Sequence, residues 1–309
     1  MRKLCAVWLV AAALACSQSE TTAPPPLAQT PRYFIVGKNP TQTLGRNPQK
    51  LLPGFGVVVV EQWTSGGERI GRTSLGREVA MKDVRPAQPS RFAGVHLDEA
   101  HLDFGWVVRE GAPVFADPAL GKIIGRKPRY ARLSLHTANG PQGYYHVAEG
   151  WMSEADLRVP RLAPRPAGIV DGEPWIDVDL PTQTLVAYRG DIPVFATLVA
   201  TGVGAEGTAF ATPKGIHPIR GKLVAATMDN LEHTGVVPYS YEEVPFTQYI
   251  GRVALHGAFW HDQFGIPRSH GCINLSPSDA EWLFSFTKPL LPEGEKEVSA
   301  KSGTVVRVR

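Results

Sequence analysis

The chain has 309 residues, of which 43% are hydrophobic, and a formal net charge of +3. This length supports two or three domains with cores of their own. So small a charge excludes the strongly basic surface of a nucleic-acid-binding protein, and no nucleic acid is expected as a partner. Glycine (31 residues) and proline (27 residues) are frequent and helix-period apolar stretches are scarce. The composition therefore predicts a mainly β fold of short strands joined by turns.

The N-terminus has the pattern of an export signal. Arg2 and Lys3 precede an apolar run that ends at Ala15, which is far shorter than the ~20 residues of a membrane-spanning helix. The run closes with the letters ALAC, which resemble the lipobox where bacterial lipoproteins are cleaved and lipidated. We therefore expect residues 1–15 to be a lipoprotein signal peptide and Cys16 to be the lipid anchor. An ordinary secretory signal cleaved nearby is the alternative.

This interpretation predicts an exported protein, lipid-anchored in the cell envelope and facing the periplasm. Ser17, directly after the anchor, is compatible with sorting to an outer membrane if the organism has one. Residues 16–32 are rich in Ser, Thr and Pro without an apolar period, which predicts a disordered tether. Removal of the signal discards Cys5 and leaves Cys272 as the unlipidated thiol, so no internal disulfide is expected and Cys272 is a candidate reactive group.

The part of the chain before residue 160 contains short β-type runs separated by Gly and Pro, a pattern typical of small barrels. Residues 106–160 resemble bacterial SH3-like domains, which commonly flank cell-wall enzymes, and residues 33–105 look like a more diverged copy. We therefore expect two small SH3-like β-barrels here. An aromatic cluster is interpreted either as a binding platform or as barrel core and is given no function; its members are Tyr144, Tyr145 and Trp151.

A linker and a further domain complete the chain. Residues 161–168 combine prolines and arginines without an apolar period, which predicts the linker, and the further domain spans 169–309. Within it, apolar alternation and turn signals over 174–202 predict three antiparallel strands. Ser276 is a predicted helix cap with Pro277 at the first helical position. The last residues alternate Val and Arg, which predicts a final strand tied into a sheet.

One segment of this domain carries the candidate chemistry. Cys272 lies in a turn that contains glycine, and His256 ends an apparent strand. A neighbouring imidazole can take the thiol proton and hold the thiolate as an ion pair, as covalent catalysis by cysteine requires. The carbonyl of Gly257 can fix the imidazole tautomer. The backbone N–H groups of Gly271 and Cys272 are predicted to form an oxyanion hole.

The order of motifs around these residues resembles the catalytic domain of the L,D-transpeptidases, the YkuD family. It runs Thr-Pro-Lys-Gly at 212–215, Val-Pro-Tyr-Ser-Tyr at 237–241, His-Gly at 256–257 and Ser-His-Gly-Cys-Ile-Asn at 269–274. The resemblance spans the C-terminal half of the chain. It implies a β-sandwich catalytic domain with short helices that needs no metal or cofactor, and covalent inhibition by β-lactams of the carbapenem type.

The resemblance also implies a reaction. Cys272 would attack a peptidoglycan stem peptide at the bond between its third residue, an L-centred diamino acid, and D-alanine. A side-chain amine of a neighbouring stem would resolve the acyl-enzyme into a 3-to-3 cross-link, whereas water would give carboxypeptidase activity. His256 matches the general base and acid of the family, and Gly257 matches the carbonyl that orients it.

Other positions match supporting parts of the family motif. Ser269 and His270 match its Ser-His pair, in which the histidine supports the site rather than acting as the base. Asn274 matches a position that contacts substrate in several members, although many relatives have arginine there. Tyr239 matches an aromatic residue in the flap region of the family and is a candidate for substrate binding. Arg268 is added on chemical grounds, because a guanidinium can bind a stem carboxylate through two hydrogen bonds. A solvated surface arginine is its alternative interpretation.

Three other interpretations of the segment remain open. Cys272 alone would be a small buried hydrophobe, which gives no reason for the His and Gly residues around it. A metal site is disfavoured because the nearby His, Cys and Asp residues fit no zinc spacing. His261 and Asp262 are instead interpreted as polar residues of a mobile loop over the site. The third alternative is a catalytically inactive, lipid-anchored wall-binding protein, against which the presence of both His256 and Cys272 argues.

Overall fold

A computed structural model of the protein describes residues 32–98, 101–136, 141–232 and 237–309. The predicted signal peptide and Cys16 lie outside these ranges. Within the ranges the fold is mainly β, as the sequence predicts, with a single α-helix. No helix in the described residues has the length and hydropathy to cross a bilayer.

The elements are numbered in chain order. The strands are β1 (Arg32–Val36), β2 (Thr41–Gln42), β3 (Lys50–Leu51), β4 (Gly56–Ser65), β5 (Glu68–Thr73), β6 (Glu78–Ala80), β7 (Val84–Pro86), β8 (Val95–His96), β9 (Phe104–Val107), β10 (Ala112–Phe115), β11 (Ile123–Lys127), β12 (Arg132–His136), β13 (Tyr144–Val147), β14 (Gly150–Ser153), β15 (Leu157–Arg158), β16 (Pro174–Asp179), β17 (Thr184–Arg189), β18 (Ile192–Leu198), β19 (Gly215–Pro218), β20 (Gly221–Asp229), β21 (Ser240–Ile250), β22 (Val253–Gly257), β23 (Ile273–Leu275), β24 (Glu297–Ser299) and β25 (Val305–Val308). The helices are α1 (Pro277–Phe286) and the 3-10 helices Met81–Asp83, Pro118–Leu120 and Glu154–Asp156.

The C-terminal part is built around a six-stranded sheet of order β19-β25-β16-β17-β18-β8. Its centre is the antiparallel run β16, β17 and β18, which confirms the three strands predicted from the sequence. The final strand β25 is tied in parallel to β16, also as predicted. Its alternation has a physical cause, since Val306 and Val308 are buried in the core. Arg307 and Arg309 lie on the other side and bind the carboxylate of Asp177.

Strands from both halves of the chain form a ten-stranded sheet. Its main path is β23-β22-β21-β4-β1-β7, and β20, β24, β5 and β6 branch from it. The halves join where Gly56 of β4 lies opposite Tyr241 of β21. A Cβ at position 56 would lie 2.7 Å from the Tyr241 ring and 2.8 Å from Phe259, so only glycine lets the strands approach. Of the strands in the predicted domain 33–105, β1 and β4 to β7 extend this sheet along an open path, β2 and β3 pair only with each other, and β8 joins the six-stranded sheet. The described residues of this range therefore do not close into the expected barrel.

The main core lies between these two sheets. Ile176 and Leu185 come from the six-stranded sheet and Leu255 and Ile273 from the ten-stranded sheet, and all four belong to one buried cluster. Helix α1 packs its apolar face, including Leu283, against the same cluster. Two sheets that share one core form a β-sandwich, the architecture that the resemblance implies for this domain.

Helix α1 begins as the sequence predicts. Ser276 is its N-cap, with a hydroxyl that accepts a hydrogen bond from the backbone N–H of Asp279 at 3.2 Å, and Pro277 occupies the first turn. The Asp279 carboxylate accepts a hydrogen bond from the backbone N–H of Gly94 at 2.9 Å. The helix start therefore also holds the segment that connects the two N-terminal parts of the chain.

A buried ion pair fastens the N-terminal strands to the C-terminal half. The carboxylate of Glu242 is fully buried and paired with the guanidinium of Arg77. It also accepts hydrogen bonds from the backbone N–H of Val58 at 2.9 Å and from the hydroxyl of Ser74 at 3.1 Å. A charge removed from water needs such partners, so this carboxylate depends on residues that lie far before it in the chain.

Arg77→Met should lower the free energy of unfolding by about 3 kcal/mol, because it leaves the buried Glu242 carboxylate without its counter-charge. Arg72→Met is the matched control. It removes an exposed pair with Glu61 and should change the free energy of unfolding by less than about 0.5 kcal/mol. Urea unfolding of both variants and the unaltered protein measures the difference. Equal effects would contradict a stabilising role for the Glu242 junction.

Residues 104–158 form a seven-stranded sheet of order β11-β10-β14-β13-β12-β9-β15. Its strand β9 spans Phe104–Val107, so the predicted boundary between residues 105 and 106 falls inside a strand. The strands β11 and β15 stay at opposite edges of the sheet. The described residues therefore form an open sheet with a small core of its own, and the closed barrel expected here is not seen among them. The likeness to SH3-like domains stays a prediction.

The aromatic cluster of this sheet is divided between its two faces. Tyr145 packs against the small core that contains Val147. Trp151 is half-buried on the other face, where its ring lies 4.6 Å from that of His146. Neighbouring residues on a strand point to opposite faces, so Tyr144 lies on the same side as His146. The core interpretation therefore holds for Tyr145 alone.

The seven-stranded part also holds the loop that follows β22. The hydroxyl of Tyr130 accepts a hydrogen bond from the N–H of Phe264 at 3.0 Å and donates one to the carbonyl of Asp262 at 3.1 Å. The guanidinium of Arg158 donates to the carbonyl of Gly265 at 2.7 Å. Hydrogen bonds to Asp262, Phe264 and Gly265 thus hold the loop that carries His261, which was predicted to be mobile.

Candidate active site

Two adjacent parallel strands bring the predicted nucleophile and base together. Leu255 of β22 lies opposite Ile273 of β23, and both side chains enter the core. The next pair in the register, His256 and Asn274, therefore faces away from the core. Cys272 directly precedes β23, where it touches the edge of the core and lines the same cavity as His256 and Asn274. The register of the two strands thus brings the imidazole and the carboxamide opposite each other, with the thiol two residues before the carboxamide.

These three side chains line one cavity of about 320 Å³. Among the described residues, the cavity contains every predicted catalytic or substrate-binding residue that has a side chain. The lining residues are Met228, Tyr239, Tyr241, His256, Trp260, Arg268, Ser269, His270, Cys272 and Asn274.

His256 is held in one tautomer. Its side chain is almost fully buried, and its Nδ1 lies 3.3 Å from the carbonyl oxygen of Gly257, to which Nδ1–H donates. This contact places the Gly257 carbonyl where the sequence predicts it. Burial lowers the pKa of His256 to about 4. The neutral ring therefore keeps an unprotonated Nε2, which can accept a proton.

Burial also favours the neutral form of Cys272. Burial raises the pKa of its thiol above the ordinary value, and a hydrogen bond with the backbone of Ala254 offsets this only in part. The directions of the two shifts favour a thiol beside a neutral imidazole. The thiolate–imidazolium ion pair expected from the sequence is disfavoured before substrate binds, because burial penalises both charged forms. The proton therefore has to move as the thiol attacks.

The turn before Cys272 is braced from two sides. Gly271 has a φ of 122°, and a Cβ there would lie 3.3 Å from the carbonyl oxygen of Ala211. The hydroxyl of Ser269 accepts the N–H of Gly271 at 3.1 Å and donates to the carbonyl of Cys272. The hydroxyl of Thr212 donates to the carbonyl of Gly271 at 2.8 Å. Thr212 belongs to the Thr-Pro-Lys-Gly motif, but its contact with Gly271 could not be predicted from that motif.

One predicted role is corrected by this geometry. The N–H of Gly271 donates to Ser269 inside the turn, so it is not free to stabilise a developing oxyanion in this conformation. The local sequence could not reveal this, because the serine that competes for the N–H reaches it only after the turn has formed. Gly271 therefore has a conformational role, and of the predicted pair the N–H of Cys272 remains the candidate donor.

Aromatic rings form one wall of the cavity. Tyr239 stacks on His270 with ring centres 5.1 Å apart, and Tyr241 stacks on Trp260 at 3.8 Å. His270 is exposed, and its ring also meets the edge of Phe210 at 4.7 Å, which fits a supporting position. Tyr241 and Trp260 were not predicted. Tyr241 could have been predicted, because it follows Tyr239 by two residues, the spacing of side chains on one face of a strand. Trp260 lies in a loop, where no such period exists.

Arg268 lies at the rim of the cavity. Its backbone N–H donates to the carbonyl of Thr201 at 2.7 Å, which fixes the main chain, and its exposed guanidinium donates to the side chain of Gln263. This position is compatible with both interpretations of Arg268, as a carboxylate-binding residue or as a solvated one.

The polar loop residues have partners of their own. His261 is buried and lies 3.0 Å from the carboxamide of Asn274, and Asp262 pairs with Arg129 at 3.1 Å. In the described part of the chain, no group of three or more His, Cys, Asp or Glu side chains is arranged to hold a metal ion.

Two buried neutral imidazoles should make the protein acid-sensitive. Burial lowers the pKa of His256 to about 4 and, with the nearby positive charge of Arg268, that of His261 to about 3. The unfolded chain then binds more protons than the folded one below pH ~6.5, so stability is lost as the pH falls from there towards 4. These two groups should lower the free energy of unfolding by about 4 to 5 kcal/mol between pH 7 and 4.5.

His256→Gln isolates one of the two contributions. The difference in the free energy of unfolding between pH 7 and 4.5 should be about 2 kcal/mol smaller in this variant than in the unaltered protein. Carboxylates that titrate in the same range are common to both proteins and cancel. Parallel pH dependences in urea unfolding would contradict the lowered pKa of His256.

Comparison with known proteins identifies a family for the part of the chain that contains this cavity. Residues 173–308 match the family model of the L,D-transpeptidase catalytic domain, YkuD. That range contains helix α1, all residues that line the cavity, and every strand of the six-stranded sheet except β8. No curated protein matches the chain.

Solved structures of L,D-transpeptidases are similar to parts of the chain. The catalytic domain of the E. faecium enzyme shows 25% identity and a TM-score of 0.34, over 45% of this chain and 98% of that one. The same E. faecium domain acylated by ertapenem shows 27% identity and a TM-score of 0.34, over 46% and 100%. An L,D-transpeptidase from Mycobacterium smegmatis shows 16% identity and a TM-score of 0.34, over 73% and 100%.

Proposed function

Because residues 173–308 form an L,D-transpeptidase catalytic domain of the YkuD family, we propose that this protein is an active L,D-transpeptidase with Cys272 as its nucleophile. The observation that carries the proposal is the cavity shared by His256, in β22, and Cys272, directly before the adjacent strand β23. The hydrogen bond between His256 and Gly257 supports it, because it leaves Nε2 of the imidazole able to accept the thiol proton.

The first half of the reaction makes a thioester. Nε2 of His256 takes the proton of the Cys272 thiol while the sulfur attacks the carbonyl carbon between the diamino acid and D-alanine. The C–N bond of the tetrahedral intermediate then breaks, and the imidazolium returns the proton to the leaving D-alanine amine. The backbone N–H of Cys272 is placed in the same turn and would face the developing oxyanion.

The second half releases the enzyme. A side-chain amine of a neighbouring stem peptide attacks the thioester carbonyl, and His256 removes a proton from that amine. The C–S bond breaks, the thiolate of Cys272 regains a proton, and an amide joins the two stems as a 3-to-3 cross-link. Water in place of the amine would release a shortened stem, which is carboxypeptidase activity.

Substrate contacts follow from the walls of the cavity. The Tyr239 and Tyr241 rings offer flat apolar surface to the peptide, and the Arg268 guanidinium at the rim can bind a stem carboxylate through two hydrogen bonds. Ser269 and His270 support the turn and the aromatic wall rather than the chemistry. A carbapenem-type β-lactam would acylate the same Cys272 sulfur.

The site of action is part of the proposal. The export signal and the lipid on Cys16 would hold the enzyme in the cell envelope, facing the periplasm, within reach of peptidoglycan stem peptides. The motif around Cys16 in the sequence supports this placement. Mass spectrometry of the protein purified from cell membranes tests it, because a diacylglyceryl adduct on an N-terminal Cys16 is expected, whereas an unlipidated N-terminus would contradict it.

The decisive experiment supplies the purified protein with a disaccharide tetrapeptide. Mass spectrometry should detect free D-alanine and a 3-to-3 cross-linked dimer, or a tripeptide if water is the acceptor. A disaccharide pentapeptide is the control donor, since the bond attacked is not C-terminal there. Binding to isolated cell walls without turnover of the tetrapeptide would overturn the proposal and favour the inactive wall-binding protein.

A further inference from the structure

His261 has a tautomer that its neighbours determine. The backbone N–H of Gln263 donates to Nδ1 of this ring at 3.1 Å. A backbone N–H can only donate, so Nδ1 must offer its lone pair. Burial lowers the pKa of His261 to about 3, so the ring is neutral near pH 7. The single proton of the neutral ring therefore sits on Nε2.

The Nε2–H of His261 faces the side chain of Asn274. Nδ2 of Asn274 lies 3.0 Å from Nε2, whereas Oδ1 of the same carboxamide is buried without a partner. Two N–H groups cannot satisfy each other, and a buried carbonyl oxygen needs a donor. A half-turn of the carboxamide meets both needs with no change of shape, since it sets Oδ1 against Nε2–H.

We infer that His261 is a positioning residue that turns the Asn274 carboxamide so that its N–H donors face the cavity of Cys272. Asn274 is 3% exposed and lines that cavity, and one end of its carboxamide is taken by His261. After the half-turn, Nδ2 with its two hydrogens occupies the buried position of Oδ1, where no described group accepts a hydrogen bond, so the oxygen of a bound ligand would be its acceptor. The inference rests on the proposed function and names the group bound, an oxygen atom of the donor stem peptide.

The distance along the strand makes this oxygen part of the reacting region. Cys272 and Asn274 are two residues apart, which separates their Cα atoms by roughly 7 Å. The N–H of Gly271 is engaged with Ser269, so the cavity has one backbone donor fewer than its sequence predicts. The Nδ2 donors of Asn274 offer hydrogen bonds on the other side of the thiol. An acceptor such as a peptide carbonyl or a carboxylate fits them, whereas an ammonium group does not.

The loop carrying His261 is itself fixed from outside the catalytic domain. Tyr130, in the seven-stranded part of the chain, binds the main chain of Asp262 and of Phe264 on the C-terminal side of the histidine. The position of His261 therefore depends on the N-terminal half of the protein. This gives the seven-stranded part a role in arranging the substrate site.

Nuclear magnetic resonance tests the tautomer without any substrate. Long-range proton–nitrogen spectra of the 15N-histidine-labelled protein at pH 7 should show His261 protonated on Nε2, with Nδ1 in the unprotonated range. His256 is an internal reference, since its contact with Gly257 requires the proton on Nδ1. The His261→Gln and His256→Gln variants assign the two signals. A His261 ring protonated on Nδ1 would overturn the inference, whether or not the enzyme is active.

Kinetics tests the consequence. Asn274→Asp keeps an acceptor for Nε2–H but removes the N–H donors, and should lower kcat/KM for D-alanine release from the tetrapeptide by about 10- to 100-fold. His261→Leu should lower kcat/KM by about 10-fold, and His261→Gln should recover part of that loss because its amide can still donate to Oδ1. His217→Leu, in β19 away from the cavity, is the control and should stay within about 2-fold.

The double variant separates positioning from general damage. If His261 acts through Asn274, His261→Leu should have little further effect in the Asn274→Ala background. Independent, multiplying losses, or an Asn274→Asp enzyme as active as the unaltered one, would overturn the inference. If the unaltered protein releases no D-alanine while the spectra give the expected tautomers, the proposed function fails and the arrangement of His261 and Asn274 stands.

Discussion

Cys272→Ala is expected to abolish turnover of the disaccharide tetrapeptide, with a loss of roughly 10⁴-fold or more. The acyl-enzyme needs an atom that forms a bond to the stem-peptide carbonyl, and no other thiol is present among the described residues. Release of D-alanine, followed by mass spectrometry, measures the loss. Turnover by the alanine variant within tenfold of the unaltered protein would contradict the role of Cys272.

Cys272→Ser is the matched variant that keeps a nucleophile of similar shape. It should be almost as inactive as the alanine variant, because burial lowers the pKa of His256 to about 4 and so makes this imidazole a weak base for an alcohol. Ertapenem should add its mass to the unaltered protein and to neither variant. Unfolding midpoints close to that of the unaltered protein would show that the losses are chemical rather than structural.

His256→Gln should lower kcat/KM by roughly 10² to 10⁴-fold, because it removes the group that takes the thiol proton. The glutamine amide can still donate to the Gly257 carbonyl, so the local fold should be kept. The loss should shrink at alkaline pH, since hydroxide can ionise the thiol without the imidazole. A loss that is the same at pH 7 and pH 10 would contradict the role of His256 as the base.

The pH profile of the unaltered enzyme follows from the same residue. The neutral imidazole is the active form, and its pKa is lowered to about 4. Activity should therefore stay level from pH 8 down to about 5.5 and fall only as the pH approaches 4. A decline centred near pH ~6.5, the ordinary pKa of histidine, would show that His256 is more exposed to solvent than the structure indicates. Measurements must stay brief below pH 5, where the protein itself loses stability.

Much of the catalytic half could be predicted because its signals are local. The strands over 174–202 follow from alternation and turn residues, and helix α1 follows from Ser276 and Pro277. The pairing of His256 with Cys272 came from a motif whose order the chain preserves. The parallel pairing of β22 with β23 then explains why both residues line one cavity.

The remaining features depend on contacts between distant segments. Nothing in the sequence around Gly56 indicates that β4 joins β21, because strand pairing between segments far apart in the chain leaves no local pattern. The pKa directions of Cys272 and His256 depend on how much of the fold covers them. The same limit explains why His261 was expected in a mobile loop, although its partner Asn274 lay within the recognised motif.

The join between β4 and β21 has a consequence for dissection of the molecule. If the chain were cut at residue 168, the start of β21 would lose its parallel neighbour, and the ring of Phe259 would lose the stacked ring of Tyr33 that lies 4.0 Å away. An uncovered strand edge beside bare aromatic rings invites edge-to-edge association between molecules. We therefore expect residues 169–309 to self-associate when they are produced alone, unless the N-terminal half with β4 is supplied.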